Sequence, residues 1–109
     1  MNAPLSQQKL DLKDPSLLRF QCYVDGQWCD ADSGATIPVV NPATGALVGT
    51  IPRMGADETR RAIDAANAAW PAWRAKTGKE RAAILRKWFD LMMAHQDDLA
   101  RIMTAEQGK

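Results

Sequence analysis

The stretch Arg81–Met93, R-A-A-I-L-R-K-W-F-D-L-M-M, limits what this chain can fold into more than any other segment. The T-G-K-E before it, Thr77–Glu80, is a capping box. The Thr77 hydroxyl can accept from the third helical amide, and the Glu80 carboxylate can reach back to the cap N–H. A helix over 78 to about 94 is therefore expected. Ala82, Ala83, Ile84, Leu85, Trp88, Phe89, Leu91, Met92 and Met93 cover well over half of its circumference. An ordinary surface helix carries one apolar stripe. A helix this apolar needs neighbours on more than one side. Any face left uncovered is an interaction patch or an aggregation liability.

The flanking segments supply some neighbours. G-A-D-E-T-R-R-A-I-D-A-A-N-A-A-W starts a helix after Gly55, with Asp57 and Glu58 in the first turn where the helix dipole favours acids. Pro71 is expected to end or kink it near Ala69 or Trp70, because proline lacks the N–H for the helical bond. His95 marks a break, where it can bond a terminal carbonyl or cap the next helix. A last amphipathic helix is expected over Gln96–Gln107, with Leu99, Ile102 and Met103 on one face and Gly108 as its cap.

Upstream the period is that of strands. In Q-C-Y-V-D-G-Q-W-C-D, Asp25-Gly26 tolerates the positive φ of a two-residue primed turn. That turn pairs Val24 with Gln27, Tyr23 with Trp28 and Cys22 with Cys29. A second hairpin is expected from Thr36–Val40 and Ala46–Ile51 around the turn N-P-A-T-G. Pro38 and Pro52 place its strands at edges. Asp14 can cap a short helical turn over Ser16–Arg19, and residues 1–13 read as a flexible or surface-draped arm. The fold class is thus two short antiparallel β-hairpins followed by three α-helices.

Composition narrows function by exclusion. The 109 residues hold 14 basic and 13 acidic side chains, interspersed, with no basic stripe for nucleic acid or for an anionic membrane. No apolar run reaches bilayer length, and the first residues lack the apolar core of a secretory signal. The expected location is the cytoplasm, where thiols stay reduced.

Few residues point to chemistry. Cys22 and Cys29 face each other in the expected register, at a spacing a disulfide tolerates. The plainer reading is two half-buried reduced thiols, with a redox hairpin as the alternative. Neither has a nearby His to make it a nucleophile. His95 is the lone histidine, and no Cys-x-x-Cys accompanies it, so no zinc site is legible. Gly108-Lys109 fails as a phosphate loop because Met103 stands where a glycine is required. Glu80, Asp97, Asp98 and Glu106 fit helix-start or solvated positions, and Trp70, Trp73 and Trp88 fit packing positions. No catalytic, cofactor-binding or metal-binding residue is assigned.

The ordered set Y-V-D-G-Q-W, V-N-P-A-T-G, M-G-A-D-E-T-R-R-A-I-D-A-A, P-A-W-R-A-K-T-G-K-E-R-A-A-I-L-R-K-W-F-D-L-M-M and L-A-R-I-M-T-A-E-Q-G-K resembles the amino-terminal part of an aldehyde dehydrogenase. Within that family it is most similar to the bacterial NAD(P)-dependent succinate-semialdehyde branch. The resemblance covers about residues 14–109. It implies an α/β aldehyde dehydrogenase fold, of which 14–109 is an incomplete part of the cofactor-binding domain. It places the catalytic cysteine, the general-base glutamate, the oxyanion-hole asparagine and the cofactor loops downstream of this chain. Cys22 and Cys29 do not match the catalytic motif. Some relatives hold a structural monovalent cation through main-chain oxygens that would lie near Val39 and Val40.

For an intact enzyme, the resemblance implies thiolate addition to a small-molecule aldehyde, hydride transfer to NAD or NADP, and hydrolysis of the thioester, giving succinate from succinate semialdehyde. It implies a homo-oligomer, with the remainder of the enzyme packed on the 78–94 helix. The 109 residues alone are expected to bind no cofactor and to be inactive. The competing reading is a small stand-alone interaction module whose apolar helix docks a partner protein.

Overall fold

The computed structural model describes residues 6–109. Its elements are a 3-10 turn (Pro15–Leu17), β1 (Cys22–Val24), β2 (Gln27–Cys29), β3 (Thr36–Val40), β4 (Leu47–Pro52), α1 (Ala56–Ala75), α2 (Gly78–Ala94) and α3 (Gln96–Gln107). The strands form two separate antiparallel pairs, β1 with β2 and β3 with β4.

The first hairpin has the expected register, with Cys22 opposite Cys29, Tyr23 opposite Trp28 and Val24 opposite Gln27. Asp25 and Gly26 both take positive φ, 51° and 75°, as a primed turn requires. The Tyr23 and Trp28 rings lie 5.0 Å apart, and the Arg19 guanidinium stacks 4.6 Å from the Trp28 ring centre.

In the second hairpin Thr36 pairs with Pro52 and Val39 with Gly49, and a bulge between Val39 and Val40 then sets Val40 opposite Leu47. The Asn41 side chain accepts from the Ala43 amide at 2.9 Å and Gly45 takes φ 75°, so N-P-A-T-G closes as the side-chain-stabilised turn its residues suggest.

Of the arm expected over 1–13, residues 1–5 lie outside the described residues. Residues 6–13 run beside β4 and α3. Leu47 donates to the Ser6 carbonyl at 2.6 Å, and Gln8 donates to the Leu47 carbonyl at 2.7 Å. The turn expected over Ser16–Arg19 is instead a 3-10 turn over Pro15–Leu17. The Asp14 carboxylate accepts from both the Ser16 amide and the Ser16 hydroxyl, which tightens the turn one residue earlier.

The helices start where their caps dictate. Glu58 accepts from the Gly55 amide at 2.9 Å at the head of α1. At the head of α2 the Thr77 hydroxyl accepts from Glu80 N, and Glu80 accepts from Thr77 N. Pro71 does not end α1, which runs on to Ala75. Pro71 and Asn67 are both exposed, so the carbonyl that loses its helical partner faces water. His95 separates α2 from α3 through its backbone N–H, which donates to the Leu91 and Met93 carbonyls, and its side chain makes no cap bond. Gly108 ends α3 at φ 74°.

Of the face expected on α3, Leu99 and Ile102 are half-buried and Met103 is not, and the buried stripe extends instead to Asp98 and Ala105. Asp98 and Ala105 are buried and Ile102 half-buried, at spacings of four and three, while Met103 is 63% exposed.

The core is small and lies to one side. Among the described residues the buried apolar ones are Ala31, Val48, Pro52 and Ala105, joined by the polar Asn41 and Asp98. The Phe20 ring lies so close over Gly49 that no Cβ fits there, and Gly108 abuts Pro42 and Ala43 in the same way. No residue of α1 or α2 is buried. The accessible surface is 8626 Å², against roughly 6,000 Å² for a folded monomer of this mass. The radius of gyration is 17.3 Å, against about 13 Å for a compact domain of this length.

Candidate functional site

Two places in the molecule are organised beyond secondary structure. The first is a clasp around Asp98. Its two carboxylate oxygens accept from the Lys13 and Asp14 amides, both at 2.9 Å. Asp98 is 3% exposed, and these backbone bonds hold its carboxyl below the usual carboxylate range. The clasp fastens residues 13 and 14 to a helix 84 or more positions away in the chain. Two further bonds secure the same strap. Arg101 donates to the Asp11 carbonyl at 3.1 Å, and the Asn41 amide donates to Gln8 at 3.0 Å. Asp14 is also held low, chiefly by the Ser16 hydroxyl and amide.

Sequence reasoning grouped Asp98 with Asp97 as an acid at a helix start. Asp97 is exposed and stands 3.9 Å from the Lys13 ammonium. Only the place of Asp98 on the Ile102–Ala105 stripe sets it apart. Glu58 and Glu80 are likewise held low by the cap bonds they accept, from Gly55 and Thr77 respectively. Glu58 also accepts from the Asp32 amide, and Arg61 pairs with the Asp32 carboxylate at 2.7 Å, so α1 is tied to the loop after β2.

The second place is the open face of α2. Ile84, Leu85, Trp88, Phe89, Leu91, Met92 and Met93 are all exposed, Trp88 to 63%. Trp70 and Ile63 on α1 and Met103 on α3 are exposed as well. Burying apolar area contributes about 25 cal/mol per Å². That gain is unrealised along the most apolar helix of the chain.

The residues examined for chemistry stay dispersed. Cys22 and Cys29 are free thiols, paired across the first hairpin. His95 lines a shallow cavity with Lys13, Gln96, Asp97 and Asp98, and no cysteine shares it. The main chain near Val39 and Val40 sits at the β3 bulge. Among the described residues no group of three His, Cys, Asp or Glu side chains could hold a metal ion. No described helix is long and apolar enough to cross a membrane.

Residues 28–109 match the family model described as the aldehyde dehydrogenase family. The chain belongs to that family. It is 66% identical over 100 residues to the glutarate-semialdehyde dehydrogenase of Pseudomonas aeruginosa, which covers 92% of this chain and 21% of that one. It is 63% identical over 100 residues to the NADP(+) succinate-semialdehyde dehydrogenase of Escherichia coli, with the same coverage of 92% and 21%. A crystal structure of an Escherichia coli NADP-dependent enzyme superposes with a TM-score of 0.88 at 64% identity, over 91% of this chain and 21% of that one. This aldehyde dehydrogenase chain thus spans about a fifth of the length of the relatives it matches. Its two strand pairs and three helices are the amino-terminal elements of the aldehyde dehydrogenase fold.

Proposed function

We propose that these residues serve as the amino-terminal part of an NAD(P)-dependent aldehyde dehydrogenase that oxidises succinate semialdehyde to succinate through a cysteine thioester. In this reading neither Cys22 nor Cys29 is the catalytic cysteine, which belongs to the remainder of the enzyme. Residues 14–109 contribute to the cofactor-binding domain, the remainder of the enzyme packs on the 78–94 helix, and the assembled enzyme is a homo-oligomer. The observation that carries this reading is the open face of α2. Its apolar side chains are exposed in a chain with far more accessible surface than its mass requires. An interface cut through a domain core leaves such a surface. The substrate class rests on the relatives, named for succinate and glutarate semialdehydes.

A chimera tests the structural part. These residues replace the matching segment of the Escherichia coli enzyme, and NADP reduction by succinate semialdehyde is measured. The chimera is expected to keep kcat/KM within about tenfold, a loss of at most ~1.4 kcal/mol in transition-state stabilisation. The 109 residues alone are expected to give no turnover. A soluble, folded chimera without activity would favour a stand-alone module.

The substrate is tested on the product of the uninterrupted reading frame that contains these residues. A preference for succinate over glutarate semialdehyde, within the roughly 10–200-fold that one methylene allows, supports the assignment. The reverse preference moves it by one methylene.

A further inference from the structure

The β1–β2 hairpin holds two thiols in a juxtaposition that the aldehyde dehydrogenase reading leaves unused. Cys22 and Cys29 are direct cross-strand partners, so their side chains leave the same face of the two-stranded sheet. In a hairpin closed by a two-residue turn, the pair beside the turn exchanges hydrogen bonds and the next pair does not. Val24–Gln27 is therefore a bonded pair, Tyr23–Trp28 a non-bonded one, and Cys22–Cys29 bonded again. Such pairs have Cα atoms about 5.5 Å apart. That lies inside the roughly 4.4–6.8 Å span that disulfides accept.

One of the two side chains already reaches across the pair. The Cys29 thiol points across the hairpin and donates to the Cys22 carbonyl at 3.5 Å. Both thiols are half-buried and free. Cys29 opens on a groove shared with Val24, Met54, Glu58 and Arg61, which a small reagent can enter. The register itself is secured without the sulfurs, by the positive-φ turn at Asp25-Gly26 and by the Tyr23–Trp28 ring pair.

We propose that Cys22 and Cys29 form a reversible dithiol–disulfide site whose co-reactant is a low-molecular-weight disulfide of the glutathione class. One cysteine thiolate attacks a sulfur of the reagent disulfide, forming a mixed disulfide and releasing one thiol. The second cysteine attacks the protein-side sulfur, closing the Cys22–Cys29 bond and releasing the second thiol. The two protein thiols lose two protons and two electrons, and one reagent disulfide is reduced to two thiols. Excess reduced thiol reverses both steps. The ring is short, so closure removes somewhat less chain entropy from the unfolded state than a long-loop disulfide does. The site does not depend on the aldehyde dehydrogenase activity.

The test uses the full 109-residue chain in buffers of reduced and oxidised glutathione, with alkylation and intact mass as the readout. Under native conditions the wild-type chain is expected to lose two hydrogens and become refractory to alkylation at both cysteines. Closure should be at least about tenfold faster natively than in concentrated guanidinium chloride, where only a flexible loop joins the thiols. Asp30→Cys/Cys29→Ser keeps nearly the same sequence separation and the Tyr23–Trp28 ring pair but sets the thiols on opposite faces, and its native advantage should vanish. Two outcomes overturn the proposal. One is equal closure rates of the wild-type chain in native buffer and in denaturant, a comparison that needs no variant. The other is a native product that carries glutathione on each cysteine with no internal bond.

Discussion

The corner made by the arm, β3–β4 and α3 contrasts with the helical pair α1–α2. Nearly all the buried residues lie in the corner: Val48 on β4, Asn41 in the turn, Asp98 and Ala105 on α3. It also holds the bonds that reach across most of the chain, from Lys13 and Asp14 to Asp98 and from Arg101 to Asp11. The helical pair has better local signals, with a capping box, acids in the first turns and long periodic runs, yet it buries nothing. Local signals decide whether a helix forms, and burial decides what it contributes to stability. In this chain the two are separated in space. α2 is a well-specified helix whose apolar side chains stay exposed.

Truncations should therefore rank against side-chain size. Val48→Ala removes only two methyl groups, but from a residue 2% exposed. It should cost about 2 kcal/mol from lost transfer energy and the cavity left behind. Faster hydrogen exchange at β3–β4 amides, or a lowered urea midpoint, would show it.

The Asp98 clasp should fail in acid. Its folded-state carboxyl is held below the unfolded value by the Lys13 and Asp14 amides. The stability it adds is present above the unfolded pKa of about 3.9. It is lost as pH falls through that value and on through the lower folded one. Exchange at the Lys13 and Asp14 amides should therefore accelerate as pH drops, once the intrinsic rate is removed. Asp98→Asn should reproduce that loss at neutral pH with α2 helicity unchanged. Unaltered amides in Asp98→Asn would show that the clasp does not hold the strap.

Thr77→Ala should cost about 1 kcal/mol of helix stability, the ordinary value of an N-cap, and fray only the first turn of α2. The smallest effect should come from the largest side chain. Trp88→Ala should leave the stability of the 109-residue chain within about 0.5 kcal/mol, because Trp88 is 63% exposed. A buried tryptophan loses about 3–5 kcal/mol on the same change. A loss of that size in the 109-residue chain would put Trp88 in a core and dissolve the contrast.

What the sequence made legible follows the same division. Asp25-Gly26 fixes a two-residue turn, and a two-residue turn fixes the register down to Cys22–Cys29. Thr77 and Glu80 fix the start of α2, and Gly108 the end of α3. All are local arrangements. The features that were not legible join residues far apart in the chain. Asp98 looks like any acid in a first helical turn until residues 13 and 14 are laid over it. Gly49 is small because Phe20 covers it, and nothing beside either residue says so. The sequence predicts that Pro71 ends or kinks α1; it does not end it, since the carbonyl left without a helical partner belongs to the exposed Asn67 and α1 continues to Ala75. The exposed apolar surface of α2 is legible in the sequence, because too many apolar positions on one helix is itself a local pattern.

The most direct test is hydrogen exchange along α2, measured in the 109-residue chain alone and in the chimera with the Escherichia coli enzyme. If α2 is an interface for the rest of an aldehyde dehydrogenase, its amides in residues 81–93 should exchange far faster in the chain alone than those of β4 and α3. In the chimera they should slow to match them. Equal protection of 81–93 in the two proteins would contradict the account, for α2 would then have no partner to gain.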